Sequence, residues 1–297
     1  MRFGLVGTGP WATMVHGPGL LEARDADLVG VWGRSPDKAE ALASSLGVTA
    51  YDDYDALLDD VEAVAFAVPP DIQAELAVAA ARAGKHLLLE KPVAMDVAAA
   101  RAVRDAVADA GVASLVFFTD RFIEGSRAWF RQVSSTDGWR GGWLRWFASL
   151  QQEGNPFGGS AWREERGALW DVGPHVLSTM TAALGPIDSL TAVGGDGDLV
   201  TLVLRHESGA TTTASLTVFA PPAAEGLEAV VWGDAGLLPM PARPEEGGAG
   251  CLAIAADELV AVVKDGRPHE LDVAFGTHVV ELLAEAQAQL DDARNGG

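Results

Sequence analysis

Three short stretches carry side chains whose types and spacing could do chemistry. In "LLLEKPV", residues 87–93, three leucines run into an acid, a base and a proline. The chain holds only four lysines, Lys38, Lys85, Lys91 and Lys264, so its cations are mostly arginine and a lysine at a strand end stands out. Lysine is the basic side chain whose pKa can be lowered enough to exchange protons. A second cationic group nearby would disfavour its ammonium form. Pro92 fixes its own φ and biases Lys91 towards extended backbone. Glu90 could orient Lys91 or cap a backbone group. The plainer alternative is a surface ion pair ending a strand.

In "RGALWDVGPHVLS", Asp171 and His175 stand four apart around Gly173 and Pro174. Asp171 falls just before a helix and His175 in its first turn, a spacing that lets both converge on one pocket. The positive end of the helix disfavours imidazolium there, which suits a neutral hydrogen-bond partner or a proton relay. On the residues alone, Asp171 could equally be a helix cap and His175 a packed core histidine.

In "GLVGTGPWA", Gly7, Gly9 and Ala12 form a GxGxxA pattern. A strand precedes it, a helix follows, and the unit is about 30 residues long, which is the dinucleotide-binding context. Gly7 would permit the turn, Gly9 the approach of a pyrophosphate, and Ala12 close helix packing. The intervening Thr8, Pro10 and Trp11, and Pro69 after a later strand, are expected beside the same cofactor. NAD-preferring sites carry an acid at the end of the second strand. Here Gly33, Arg34 and Ser35 occupy that place. A cation and a hydroxyl without the acid favour NADP(H), with NAD(H) possible. Arg34 could instead be a solvated charge or stack on adenine with either cofactor.

The elements that must position these residues follow from patterning. Through about residue 119, short apolar runs alternate with alanine-rich helical stretches, which reads as βαβ units and a doubly wound parallel sheet. The next segments read as a strand ("GGWLRWFASLQQ"), a helix ("PHVLSTMTAALG"), a hairpin around "HESG", two short strands and two helices. The expected fold class is α/β: a Rossmann domain over 1–120, then an α+β domain over 121–297 with a mostly antiparallel open sheet. The composition is globular, 48% hydrophobic and 21% charged. A net charge of −21 argues against nucleic acid and anionic membrane as partners. One cysteine, no signal-peptide pattern and no long apolar run lead to an expected cytoplasmic location. No spacing predicts a metal site.

Together the three stretches resemble the glucose–fructose oxidoreductase/inositol dehydrogenase/MocA family. "DRF" at 120–122, "AWR" at 161–163 and "LRHESGA" add support. The resemblance implies an NAD(P)-dependent enzyme transferring hydride between nicotinamide and a hydroxyl or carbonyl carbon of a sugar, polyol or related small molecule. It maps the family's lysine onto Lys91, its aspartate onto Asp171 and its histidine onto His175. It implies that the second domain binds substrate and that its open sheet makes a homodimer or homotetramer. The chain departs from the family pattern at Thr119, Asp120, Arg166 and Ser178, all bordering the expected substrate side. A cofactor-holding regulatory protein, or an enzyme doing net hydrolysis or elimination, are the other classes the residues allow. Trp162, Arg163, Glu153 and Glu164 are further candidates for substrate contact. Trp139, Trp143, Trp146 and Trp170 read as packing. Of the histidines, His16 reads as an ordinary first-helix residue that could border the cofactor site, His86 as structural, and His206 as solvated in a turn.

Overall fold

A computed structural model describes residues 1–150, 161–243 and 247–296, and Glu153 lies outside them. The chain divides into two compact units, Met1–Phe122 with Glu245–Val280, and Ile123–Pro244 with Glu281–Gly297.

In the first unit, β1 (Arg2–Val6) leads through a π-helical turn (Ala12–His16) into α1 (Gly17–Glu22). There follow β2 (Asp27–Trp32), α2 (Pro36–Leu46), β3 (Thr49–Tyr51), α3 (Tyr54–Asp60), β4 (Ala63–Phe66), α4 (Pro70–Arg82), β5 (His86–Leu89), α5 (Val97–Ala110) and β6 (Ser114–Val116). The sheet order is β3-β2-β1-β4-β5-β6 and every pair is parallel. This is the doubly wound order, with its switch between β1 and β4. Central strands flanked by helices on both faces must be apolar throughout, and Ala63–Phe66 and Leu87–Leu89 are wholly buried. The helix ends are written locally: Asp96 accepts from the Ala99 N–H at 2.8 Å, and Gly47 and Gly111 close α2 and α5 in the left-handed region.

The second unit contains α6 (Glu124–Ser134), β7 (Trp139–Phe147), α7 (Ala161–Asp171), α8 (Gly173–Leu184), β8 (Ile187–Gly194), β9 (Val200–His206), β10 (Thr211–Thr217), β11 (Gly226–Gly233) and β12 (Gly236–Pro239). Its sheet order is β12-β11-β7-β10-β9-β8, antiparallel except for β10 beside β7. Leu144, Leu202, Leu204, Ala214 and Leu216 are buried on one face. The registers place Val193, Val203 and Trp232 on the other face, all exposed.

Two helices follow, α9 (Gly248–Asp265) and α10 (Val273–Asn295). The sequence expectation put 121–297 in one domain, yet Glu245–Val280 packs with the first unit. The reason is α9, whose Leu252, Ala255, Ala256 and Leu259 are wholly buried. It approaches α1 so closely that a Cβ on Gly19 would stand 2.6 Å from the Ala249 carbonyl oxygen.

His206 corrects another expectation. The hairpin turn lies beyond it, and its ring is buried at the end of β9. Nδ1 lies 2.8 Å from the Gly185 carbonyl oxygen and Nε2 2.9 Å from Thr212 Oγ1. Burial lowers its pKa, against a smaller opposing effect of the Gly185 hydrogen bond. The folded chain therefore binds this proton less readily than the unfolded chain, so the neutral ring's contribution is complete above about pH 6.5 and is lost as pH falls from there through the lowered value. Urea unfolding of wild type and His206→Gln across pH 5–8 should show the stability gap narrowing as the pH falls; a constant gap would contradict the assignment.

Candidate functional site

The glycine turn follows β1 directly. Gly7 has φ +128°, and a Cβ there would stand 2.3 Å from the Ala67 carbonyl oxygen, so only glycine fits. At Gly9 a Cβ would meet nothing within 4 Å, which leaves that backbone approachable. Ala12 is wholly buried, as close helix packing requires. At the end of β2, a Cβ on Gly33 would fall 2.6 Å from Thr8 Cγ2, so the threonine methyl takes the space of a side chain there. Ser35 stands at the N-cap of α2, but its hydroxyl makes no capping bond. Pro69 occupies the same position before α4.

Thus Gly7, Thr8, Gly9, Pro10, Trp11 and Ala12 follow β1, Arg34 and Ser35 follow β2, Pro69 follows β4, and Glu90 and Lys91 follow β5. These are the carboxyl ends of four parallel strands around the switch point, where open α/β sheets bind ligands. The open backbone at Gly9 and the close approach at Gly7 fit a dinucleotide.

At the corner after β5, the Lys91–Pro92 peptide is cis. The main chain there leaves the sheet ladder while still buried, so its polar groups need partners. Gln73, wholly buried on α4, supplies them. Its Nε2 donates to the carbonyls of Glu90 (2.8 Å), Pro92 (3.3 Å) and Val93 (3.1 Å), and its Oε1 accepts from the Glu90 N–H at 2.8 Å. The Glu90 side chain does not turn outwards. Its Oε1 accepts from Trp11 Nε1 at 2.6 Å and lies 2.8 Å from His16 Nε2, while Oε2 accepts from the Lys91 N–H at 3.2 Å. Sequence reasoning missed Gln73. Its signal was a polar residue in step with Ala77 and Ala80 on the buried face of α4.

In the second unit, Asp171 ends α7 and His175 lies in the first turn of α8, both buried. Asp171 does not cap α8, whose N-cap is Val172. Its Oδ2 instead pairs with Arg163 Nε at 3.1 Å, and the Arg163 guanidinium lies over Trp162 at 4.6 Å. His175 stacks on Trp146, with ring centroids 5.1 Å apart and 28° between planes, and Arg243 lies 4.2 Å over the same indole. Trp139, by contrast, serves packing: it lies against the cluster of Trp129, Val133 and Leu184. The helix carrying Asp171 is aimed by a kink at Gly167 (φ +63°, ψ −163°), a region essentially closed to other residues. Asp198 holds the kink, accepting from the Ala168 N–H at 3.0 Å and the Val218 N–H at 2.9 Å. Nothing in the sequence around Asp198 marks it, because its partners are 20 and 30 residues away. Among the described residues no group of His, Cys, Asp and Glu could hold a metal ion. No helix among them is long and apolar enough to cross a membrane.

Two family models match the chain: the NAD-binding Rossmann fold of the GFO/IDH/MocA oxidoreductase family over residues 1–118, and that family's C-terminal domain over 101–238. The chain belongs to this family. Among its relatives, inositol 2-dehydrogenase of Rhizobium meliloti (strain 1021) is 37% identical over 41% of this chain and 37% of its own length. D-xylose 1-dehydrogenase (NADP(+)) 2 of Haloferax volcanii is 35% identical over 41% of this chain and 38% of its own. The chain thus spans well under half the length of these curated relatives. A levoglucosan dehydrogenase in complex with NADH and levoglucosan has the same fold, with TM-score 0.86 at 18% identity over 98% of this chain and 97% of that one.

Replacing Gly167 by alanine should cost about 1–3 kcal/mol of stability in urea unfolding, because a Cβ must enter the closed backbone region. A change below about 0.5 kcal/mol, typical of neutral surface substitutions, would show the kink to be dispensable.

Proposed function

We propose that this chain is an NAD(P)-dependent dehydrogenase or reductase acting on a CH–OH group of a sugar, polyol or related small molecule. The observation that carries the reading is the meeting of the glycine turn, Arg34, Pro69 and Lys91 at the carboxyl ends of β1, β2, β4 and β5. Membership of an oxidoreductase family with relatives named for inositol and xylose supports the substrate class. The bound nicotinamide would supply the hydride acceptor or donor.

The remaining work falls to the chain. In the oxidative direction the carbinol hydroxyl must lose its proton as the carbon gives up hydride. Lys91 or His175 takes that proton from the oxygen, and Asp171 orients the substrate or the histidine. The stacking of His175 on Trp146 fixes its ring plane, and the ion pair with Arg163 fixes the Asp171 carboxylate. With correct positioning, proton transfer of this kind contributes about 10²–10⁴ in rate.

The cofactor reading is NADP(H) before NAD(H). It rests on the absence of an acid at position 33, where Thr8 fills the adjacent space, and on the cation at Arg34. A ribose 2′-phosphate would gain a charge-assisted hydrogen bond from that guanidinium.

Two substitutions test these roles. Lys91→Ala should lower turnover on a panel of sugars and polyols by about 10²–10⁴ while leaving cofactor binding measurable; undiminished turnover would refute the proton-handling role. Arg34→Ala should weaken NADPH binding by about 10- to 100-fold and NADH binding far less, as measured by cofactor fluorescence titration. Equal small losses for both would refute the 2′-phosphate contact.

A further inference from the structure

His16 is wholly buried, and the role assigned to Lys91 makes no use of it. It lies in the π-helical turn just after the glycine turn, with its ring edge-on to Phe117 at 6.0 Å and 85°. Its Nε2 lies 2.8 Å from Glu90 Oε1, the oxygen that also accepts from Trp11 Nε1. Its other nitrogen, Nδ1, is buried without a hydrogen-bond partner among the described residues. A carboxylate oxygen accepts, so Nε2 carries the hydrogen.

The π turn explains how both side chains reach one atom. Trp11 and His16 are five residues apart. In a regular α-helix five steps of about 100° would turn them about 140° away from each other. Here the Gly17 N–H bonds to the Ala12 carbonyl, closing the wider i→i+5 turn and returning the fifth residue to nearly the same face. The local irregularity thus serves a specific contact, with the Glu90 carboxylate as its target.

We propose that His16 is a positioning residue for Lys91, acting through Glu90, and that this pair ties the dinucleotide turn to the lysine corner. The inference rests on the reading of Lys91 as the proton-handling group. One oxygen of Glu90 is held by the helix that follows the glycine turn, and the other holds the main-chain N–H of Lys91. Gln73 fixes the carbonyls on either side, and the side chain of Glu90 links the two segments. Removing the His16 donor leaves Trp11 as the anchor of that oxygen and gives the Lys91 backbone more freedom.

The small number of lysines makes the test direct. The full chain is reductively methylated with ¹³C, and the dimethyl-lysine NMR signals are assigned by Lys→Arg substitution. His16→Phe keeps a buried ring and removes the donor, and His16→Gln keeps an amide donor of similar reach. The expected result is that His16→Phe moves the Lys91 signal and leaves those of Lys38 and Lys264 in place, and that His16→Gln restores it most of the way. Should His16→Phe fail to fold, His16→Asn, whose amide is too short to reach Glu90, replaces it. An unmoved Lys91 signal, or movement of all four signals together, would overturn the inference, the second outcome marking a purely structural residue. Full turnover in Lys91→Ala would instead remove the reading of Lys91, and the NMR result would still decide whether His16 holds the corner.

Discussion

A buried main chain that leaves its sheet must find new partners for its peptide groups, and in the first unit one glutamine meets that need. Gln73 engages four main-chain groups between Glu90 and Val93 with a single amide. Each of these groups left buried and unpaired would cost about 1–3 kcal/mol. The corner carrying Lys91 is therefore fixed by α4, an element that belongs to the sheet's own packing. Glu90 adds a side-chain link to the helix after the glycine turn. The glycine turn and the lysine are in this way referenced to one rigid frame, as the proposed proton transfer at a defined atom would require.

The second unit solves a similar problem by other means. Asp171 and His175 lie on two consecutive helices, and the direction of the first is set by a glycine in a backbone region that other residues avoid. Asp198 satisfies the main chain on both sides of this arrangement, at Ala168 and at Val218. Aromatic and cationic side chains then fix these two residues: Trp146 beneath His175, and Arg163 on Asp171.

Much of this was legible in sequence because it is local. Period and capping residues mark the βαβ units, and the GxGxxA pattern marks the turn. The β3–α3 segment escaped notice because β3 has three residues and none is buried. β8 escaped because its exposed positions break the alternation. His206 was misread because the hairpin turn begins beyond it, and its partners at Gly185 and Thr212 appear only once the sheet is assembled. Gln73, Asp198 and the His16–Glu90 pair were illegible for the same reason. Their meaning lies in contacts 17 to 74 residues distant.

Hydride transfer between a nicotinamide and a carbinol carbon is the step on which the proposed function stands or falls. The most direct measurement follows that hydrogen. The protein is incubated with oxidised NADP and with sugars and polyols deuterated at their carbinol carbons, and the recovered nicotinamide is examined by mass spectrometry. Deuterium is expected on the nicotinamide ring with at least one substrate, and about 10²–10⁴-fold less of it with Lys91→Ala over the same interval. Tight cofactor binding with no deuterium transferred from any carbinol would contradict it.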